Sequence, residues 1–198
     1  MASETSRSLS TFRFPNGTCI AQAQPLGHMS VTLASPAIAV MTDLAEVRAA
    51  TVHPDTDLAQ AEATMIQQGV RMLFVVSHMP CVDGIVTAAD VLGDKPVKLM
   101  QERHLRRQEL GVADVMTPLS ELDVVELQAL QRATVGDALA TLAKFGRPHM
   151  LVVEAASQQG PARIRGVVSH AQIERQLVHA APILEVAQTF AEVEHALA

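Results

Sequence analysis

Three short landmarks occur twice along this chain, in the same order. VMTD at residues 40–43 is echoed by VMTP at 115–118, GVRMLFVV at 69–76 by GRPHMLVV at 146–153, and GIVTAAD at 84–90 by GVVSHAQ at 166–172. An ordered repeat of this kind constrains the fold more than any single motif does. Each copy is one supersecondary unit of the same pattern. The second copy is longer between its last two landmarks, where EAASQQGPARIR replaces SHMPCVD. Such an insertion belongs in an exposed turn.

Each copy reads as strand, helix, strand, strand, helix. In the first, residues 49–53 (AATVH) are strand-like. Asp57 then caps a helix whose Leu58, Ala61 and Met65 recur at helical spacing, and Gly69 ends it. RMLFVV follows as a short buried strand, a turn holding Pro80 leads to a second strand through Gly84, Ile85 and Val86, and a helix starts near Ala88. The second copy repeats the pattern with a strand ELQAL near Glu126. A helix capped by Thr134 then sets Val135, Ala138, Leu139 and Leu142 on one face, and Gly146 closes it. A hairpin of MLVV and IRGVV turns around Gly160 and Pro161, and a helix starts at His170.

The expected fold class is therefore α/β in the α+β sense, with two β-α-β-β-α repeats and a C-terminal helix. Residues 1–35 form an N-terminal extension with little periodicity, expected to be partly disordered. The first repeat spans 36–95, a basic linker 96–111, the second repeat 112–180, and a helix 181–198. In that last helix Ile183, Val186, Ala187, Phe190, Val193 and Leu197 make one stripe. The stripe fits either the chain's own core or a dimer contact.

Composition removes several function classes. The formal net charge of −6, with no Trp or Tyr to stack bases, opposes nucleic-acid binding. No apolar run approaches the roughly 18 residues of a membrane span, and the polar N-terminus lacks a secretory signal, so a cytoplasmic, membrane-free protein is expected. Cys19 and Cys81 lie far apart, which suggests neither a disulfide framework nor a zinc site, and no metal is expected. Lys95, Lys98, Arg103, Arg106 and Arg107 crowd into KPVKLMQERHLRRQ. They are read as a helical linker paired with Glu102 and Glu109, with a field that draws in polyphosphates as the other reading. There is no GxGxxG, P-loop or HExxH, and the eight histidines are scattered, so no enzyme is expected.

VMT before each repeat, and Gly-apolar-apolar-Thr/Ser-x-x-Asp after its hairpin, resemble a tandem pair of cystathionine-β-synthase (CBS) domains, a stand-alone Bateman module, over residues 36–177. The resemblance implies two repeats packed about a pseudo-twofold axis, ligand clefts between them, and flat homodimers. It also implies an adenosine-containing regulatory ligand such as AMP, ADP, ATP or S-adenosylmethionine. With no catalytic or transport domain on the chain, any output would pass through assembly or an unidentified regulated protein.

Residue by residue, Thr87 and a helix start would hold a phosphate, Asp90 would accept hydrogen bonds from ribose hydroxyls, and Gly84 would let the backbone approach. Thr-x-x-Asp at a helix start is equally a plain cap, worth about 1 kcal/mol without a ligand. In the second copy Gly166 and Ser169 are kept, but Gln172 replaces the acid, which predicts one good and one altered site. His170 is within reach of a phosphate there or is incidental. Arg71 and Arg147 contact phosphates if they face a cleft and are otherwise solvated. By the resemblance, Thr42, Ala50 and Met72 line the adenine side of the first cleft, and Thr117 takes the matching place in the second. Two functions compete on this reading: a nucleotide-sensing module, and a structural protein that dimerises with empty clefts while Thr87 and Asp90 serve only as caps.

Overall fold

The computed structural model describes residues 31–156 and 161–178. The expected C-terminal helix, the N-terminal residues to 30 and Gly160 lie outside the described residues. In chain order the elements are β1 (Met41–Asp43), β2 (Thr51–Val52), α1 (Leu58–Gln68), β3 (Met72–Val75), β4 (Gly84–Thr87), α2 (Ala88–Leu92) and α3 (Asp94–Arg103). They continue with α4 (Val112–Val115), β5 (Thr117–Pro118), β6 (Val124–Glu126), α5 (Leu127–Arg132), α6 (Val135–Phe145), β7 (His149–Glu154), β8 (Arg163–Ser169) and α7 (His170–Val178).

Local chemistry starts and stops the two long helices as the residues predict. Asp57 accepts a hydrogen bond from the Gln60 N–H at 2.8 Å, and Thr134 and Asp137 form a capping box at the start of α6. Gly69 and Gly146 end these helices at φ 64° and 62°, the left-handed conformation that glycine reaches without a Cβ penalty. Leu58, Ala61 and Met65 on α1, and Val135, Ala138 and Leu142 on α6, turn inward.

Two four-stranded sheets form, ordered β1-β8-β7-β6 and β2-β3-β4-β5. In each, a parallel pair (β2 with β3, β6 with β7) is followed by an antiparallel hairpin (β3 with β4, β7 with β8). The fourth strand comes from the other repeat. β1, which carries VMTD, pairs antiparallel with β8, and β5, from VMTP, pairs antiparallel with β4. The leading strands are thus exchanged.

Glycine makes the exchange possible. A Cβ on Gly166 would sit 2.5 Å from Met41 Sδ and 2.8 Å from the Thr42 carbonyl oxygen, and one on Gly84 would collide with the Thr117 carbonyl. Asp43 and Arg165 lock the β1 side. Arg165 is the extra residue of β8 where the register slips between Val152↔Gly166 and Val153↔Ile164. Its Nε and Nη2 donate to the two Asp43 carboxylate oxygens at 2.7 Å each. These bonds, with the Ala45 N–H behind them, hold the Asp43 carboxyl at about 2, below its usual 3.8.

Strand alternation sorts the core into three parts. Leu73 and Val75 of β3 face α1, α2 and α4 with Val86, while Met150 and Val152 of β7 face α5, α6 and α7 with Val168. The opposite faces meet between the sheets, where Met72, Phe74, Val76 and Ile85 pack against Leu151, flanked by Leu44 and Val167. The architecture is helices outside and two sheets back to back inside.

One sequence expectation changes. ELQAL is not a strand: β6 covers the β-branched pair Val124–Val125 and ends at Glu126, after which the chain turns into α5 so that Leu130 enters the core beside Ala37 and Val40. The basic run forms α3 and the turn after it, and four of its five cations have partners among the described residues. Lys95 donates to the Val115 carbonyl at 2.5 Å and Arg107 to the Val91 carbonyl at 3.0 Å, while Arg103 pairs with Asp114 at 2.6 Å and Arg106 with Glu109 at 3.3 Å. Arg107 ties the linker to the first repeat, Arg103 ties it to Asp114 of the second, and Arg106 pairs with Glu109 inside it.

Candidate functional site

Between the sheets, beside the Met72 and Phe74 layer, opens a cleft of about 1210 Å³. Its apolar wall comes from Leu44, Ala49, Ala50, Val70, Met72, Phe74 and Val167. Its polar rim comes from Thr42 on β1, Arg48, Arg71, Ser169 at the end of β8, and Gln172, Glu174 and Arg175 on α7. A second cleft of about 800 Å³ adjoins it, lined by Thr87 to Ala89, by Leu139, Ala140, Leu142 and Ala143 of α6, and by Arg147 and His170. Arg71, His149, Ala171 and Glu174 line both.

Residues assigned to one cleft are divided by this geometry. Thr42 and Ala50 do not gather with Thr87 and Asp90; they share the large cleft with Met72, Ser169 and Gln172, although Met72 also pairs with Thr87 across β3 and β4. The strand exchange explains this, because β1 carries Thr42 across to lie on β8, opposite Val167. Thr117 goes the other way and pairs with Ile85, two residues from Thr87. Thr87, Arg147 and His170 meet in the second cleft. Gly84, Gly166, Asp90 and Thr117 line neither of the two. Gly84 and Gly166 make room for crossing strands rather than for a ligand in these clefts.

The Thr87–Asp90 pair is closed on itself. Thr87 donates both its N–H (2.9 Å) and its hydroxyl (2.6 Å) to one Asp90 oxygen, and the Asp90 N–H returns to Thr87 Oγ1 at 3.3 Å. The other Asp90 oxygen lies 3.9 Å from Lys95 Nζ. Thr134 and Asp137, which line neither cleft, repeat the same three contacts at 2.8, 2.7 and 3.2 Å. The arrangement is therefore sufficient as a cap alone.

Ser169 and Gln172 make only half of it. The Gln172 N–H reaches Ser169 Oγ at 3.2 Å, but the Gln172 side chain turns along α7, where its Oε1 accepts from Arg175 Nη2 at 2.6 Å. His170 Nδ1 lies 3.4 Å from Glu174 on the same helix.

Sequence reasoning missed His149. It stands at the head of β7, opposite Ser169, and its Nδ1 is buried without a hydrogen-bond partner among the described residues. Burial first, and the nearby Arg71 charge second, push its pKa below the usual 6.5, so it is neutral at pH 7. The repeat alignment puts His149 where the first copy has Met72, and that change of polarity was the available signal. Arg48 and Arg175, outside the landmarks, gave none.

Residues 38–94 match the family model of the CBS domain. CBSX2 of Arabidopsis thaliana, a CBS-pair protein solved in complex with AMP, superposes with a TM-score of 0.51 at 21% identity over 73% of this chain and 96% of that one. An uncharacterized conserved protein from Pyrococcus horikoshii gives 0.52 at 20% identity, over 79% of this chain and 100% of its own. A putative signal-transduction protein with CBS domains from Burkholderia ambifaria MC40-6 gives 0.52 at 17%, over 70% and 88%. No curated protein matches the chain in sequence. The fold is that of a tandem CBS-domain pair, and its first repeat carries the CBS sequence signature itself.

Proposed function

We infer that this chain is a non-catalytic regulatory module that binds an adenosine-containing ligand in the large cleft between its two repeats. One observation carries the reading: an apolar slot built by Ala50, Met72 and Phe74 of one repeat is rimmed by Ser169, Gln172 and Arg175 of the other. A slot of that kind takes a flat base, and the rim takes the sugar and phosphates. The CBS pair solved with AMP supports the choice of ligand class. Because both repeats line the cleft, an occupant that fits one spacing of the sheets better than another shifts their arrangement. Output then passes through a homodimer or a regulated protein, in the cytoplasm. No described helix is long and apolar enough to cross a membrane.

A thermal-shift series with AMP, ADP, ATP, NAD and S-adenosylmethionine tests this. At 100 times its dissociation constant a ligand specific for the folded state adds about 2.7 kcal/mol. A shift with at least one of these compounds is expected, lost in Met72→Arg, which fills the slot. A second reading, a structural pair with empty clefts, is favoured by the closed Thr87–Asp90 cap, and an unchanged melting curve with all five compounds would select it.

A further inference from the structure

The orientation of one amide narrows the ligand class further. A guanidinium only donates hydrogen bonds, so Arg175 fixes Oε1 as the end of Gln172 that faces it and leaves the amide NH2 for the cleft. Ser169 Oγ already accepts the Gln172 N–H, which leaves its hydroxyl proton to donate. The rim at this point therefore offers donors. A free sugar hydroxyl can accept from such donors but leaves its own proton unmet, whereas a phosphate on that oxygen only accepts and is matched by them more fully, as a cationic group matches the 2′-phosphate in dinucleotide-binding folds.

Charge agrees. Arg48 and Arg71 line the same cleft and make no hydrogen bond or ion pair with the described residues, and Arg175 adds a third cation. Glu174 is the one carboxylate among the described residues of the lining, and it lies 3.4 Å from His170. Two anionic groups on different parts of a ligand would meet donors on different walls, since Arg48 and Arg71 belong to the first repeat and Gln172 and Arg175 to α7.

We propose that the cleft selects adenine nucleotides that carry a second phosphate on the ribose 2′ or 3′ oxygen. This rests on the adenosine reading above and places the sugar beside Ser169 and Gln172. The test is calorimetric titration of the purified chain with AMP, ADP, adenosine 3′,5′-bisphosphate and adenosine 2′,5′-bisphosphate. ADP and the bisphosphates hold the same number of phosphates, so only position separates them. At least one bisphosphate is expected to bind about tenfold more tightly than ADP, and Gln172→Asp, which puts a carboxylate against the added phosphate, is expected to abolish that tenfold ratio when both ligands are titrated into the same variant. ADP binding as tightly as both bisphosphates would overturn the selectivity and leave the adenosine reading standing, as would a preference unchanged in Gln172→Asp. Binding of none of the four would overturn both.

Discussion

Asp43 and Arg165, separated by 122 positions in sequence, meet through two hydrogen bonds of 2.7 Å across the β1–β8 edge. The pair joins the leading strand of the first repeat to a bulge in the second, beside Thr42 and Val167 of the large cleft. It is a planar two-point contact that lysine cannot reproduce.

Acid should loosen this edge. The Asp43 carboxyl is held at about 2 against an ordinary 3.8, so its contribution is complete above the ordinary value and is lost as pH falls through about 2. The melting temperature of Asp43→Asn should lie below that of the parent at neutral pH, and the gap should narrow as pH approaches about 2. A gap independent of pH would contradict the assignment.

The exchange glycines should be intolerant of a methyl group. Gly84→Ala sets a Cβ against a backbone carbonyl in β5, and Gly166→Ala sets one against Met41 Sδ and the Thr42 carbonyl. Each is expected to cost about 1–3 kcal/mol in urea unfolding, with Gly84 the worse because its nearest obstacles are all backbone.

Asp90 should matter for stability rather than for affinity. Its carboxylate satisfies both donors of Thr87. Asp90→Ala is thus expected to lose about 1 kcal/mol of stability while nucleotide titration into the large cleft stays within twofold of the parent (~2). Abolished binding would return Asp90 to the site.

His149 should report occupancy. Its imidazole is kept neutral by burial and by Arg71. Because its folded pKa lies below 6.5, stability is undiminished above 6.5 and is lost as pH falls from there towards the lowered value. A phosphate set near Arg71 would oppose both effects and raise the pKa. Following the His149 ring protons by NMR against pH should give a lower midpoint in the free protein than with nucleotide, and identical midpoints would place the phosphates elsewhere.

Much of this was readable from the residues. The duplicated landmarks gave the repeat, and Asp57, Thr134, Gly69 and Gly146 gave the limits of α1 and α6, because caps and left-handed glycines act within one turn of chain. The partition of the clefts was not readable. Thr42 is close in sequence to Ala50 and Met72 but reaches Ser169 and Gln172 only through pairing with a strand more than a hundred positions away, and periodicity carries no record of such a partner. ELQAL failed for a related reason. Leu127 and Leu130 suit either period over so short a run, and the packing of Leu130 on Val40 decided for a helix.

The reciprocal lending of edge strands also means that the polypeptide has no natural place to be cut in two. Cleaved in the α3–α4 connection, the N-terminal piece would keep β1 with nothing to lie on and a β4 edge left bare, and the C-terminal piece would hold the converse orphans. Two such pieces, insoluble when made separately, should recover one another when made together, as the halves of a clasp do.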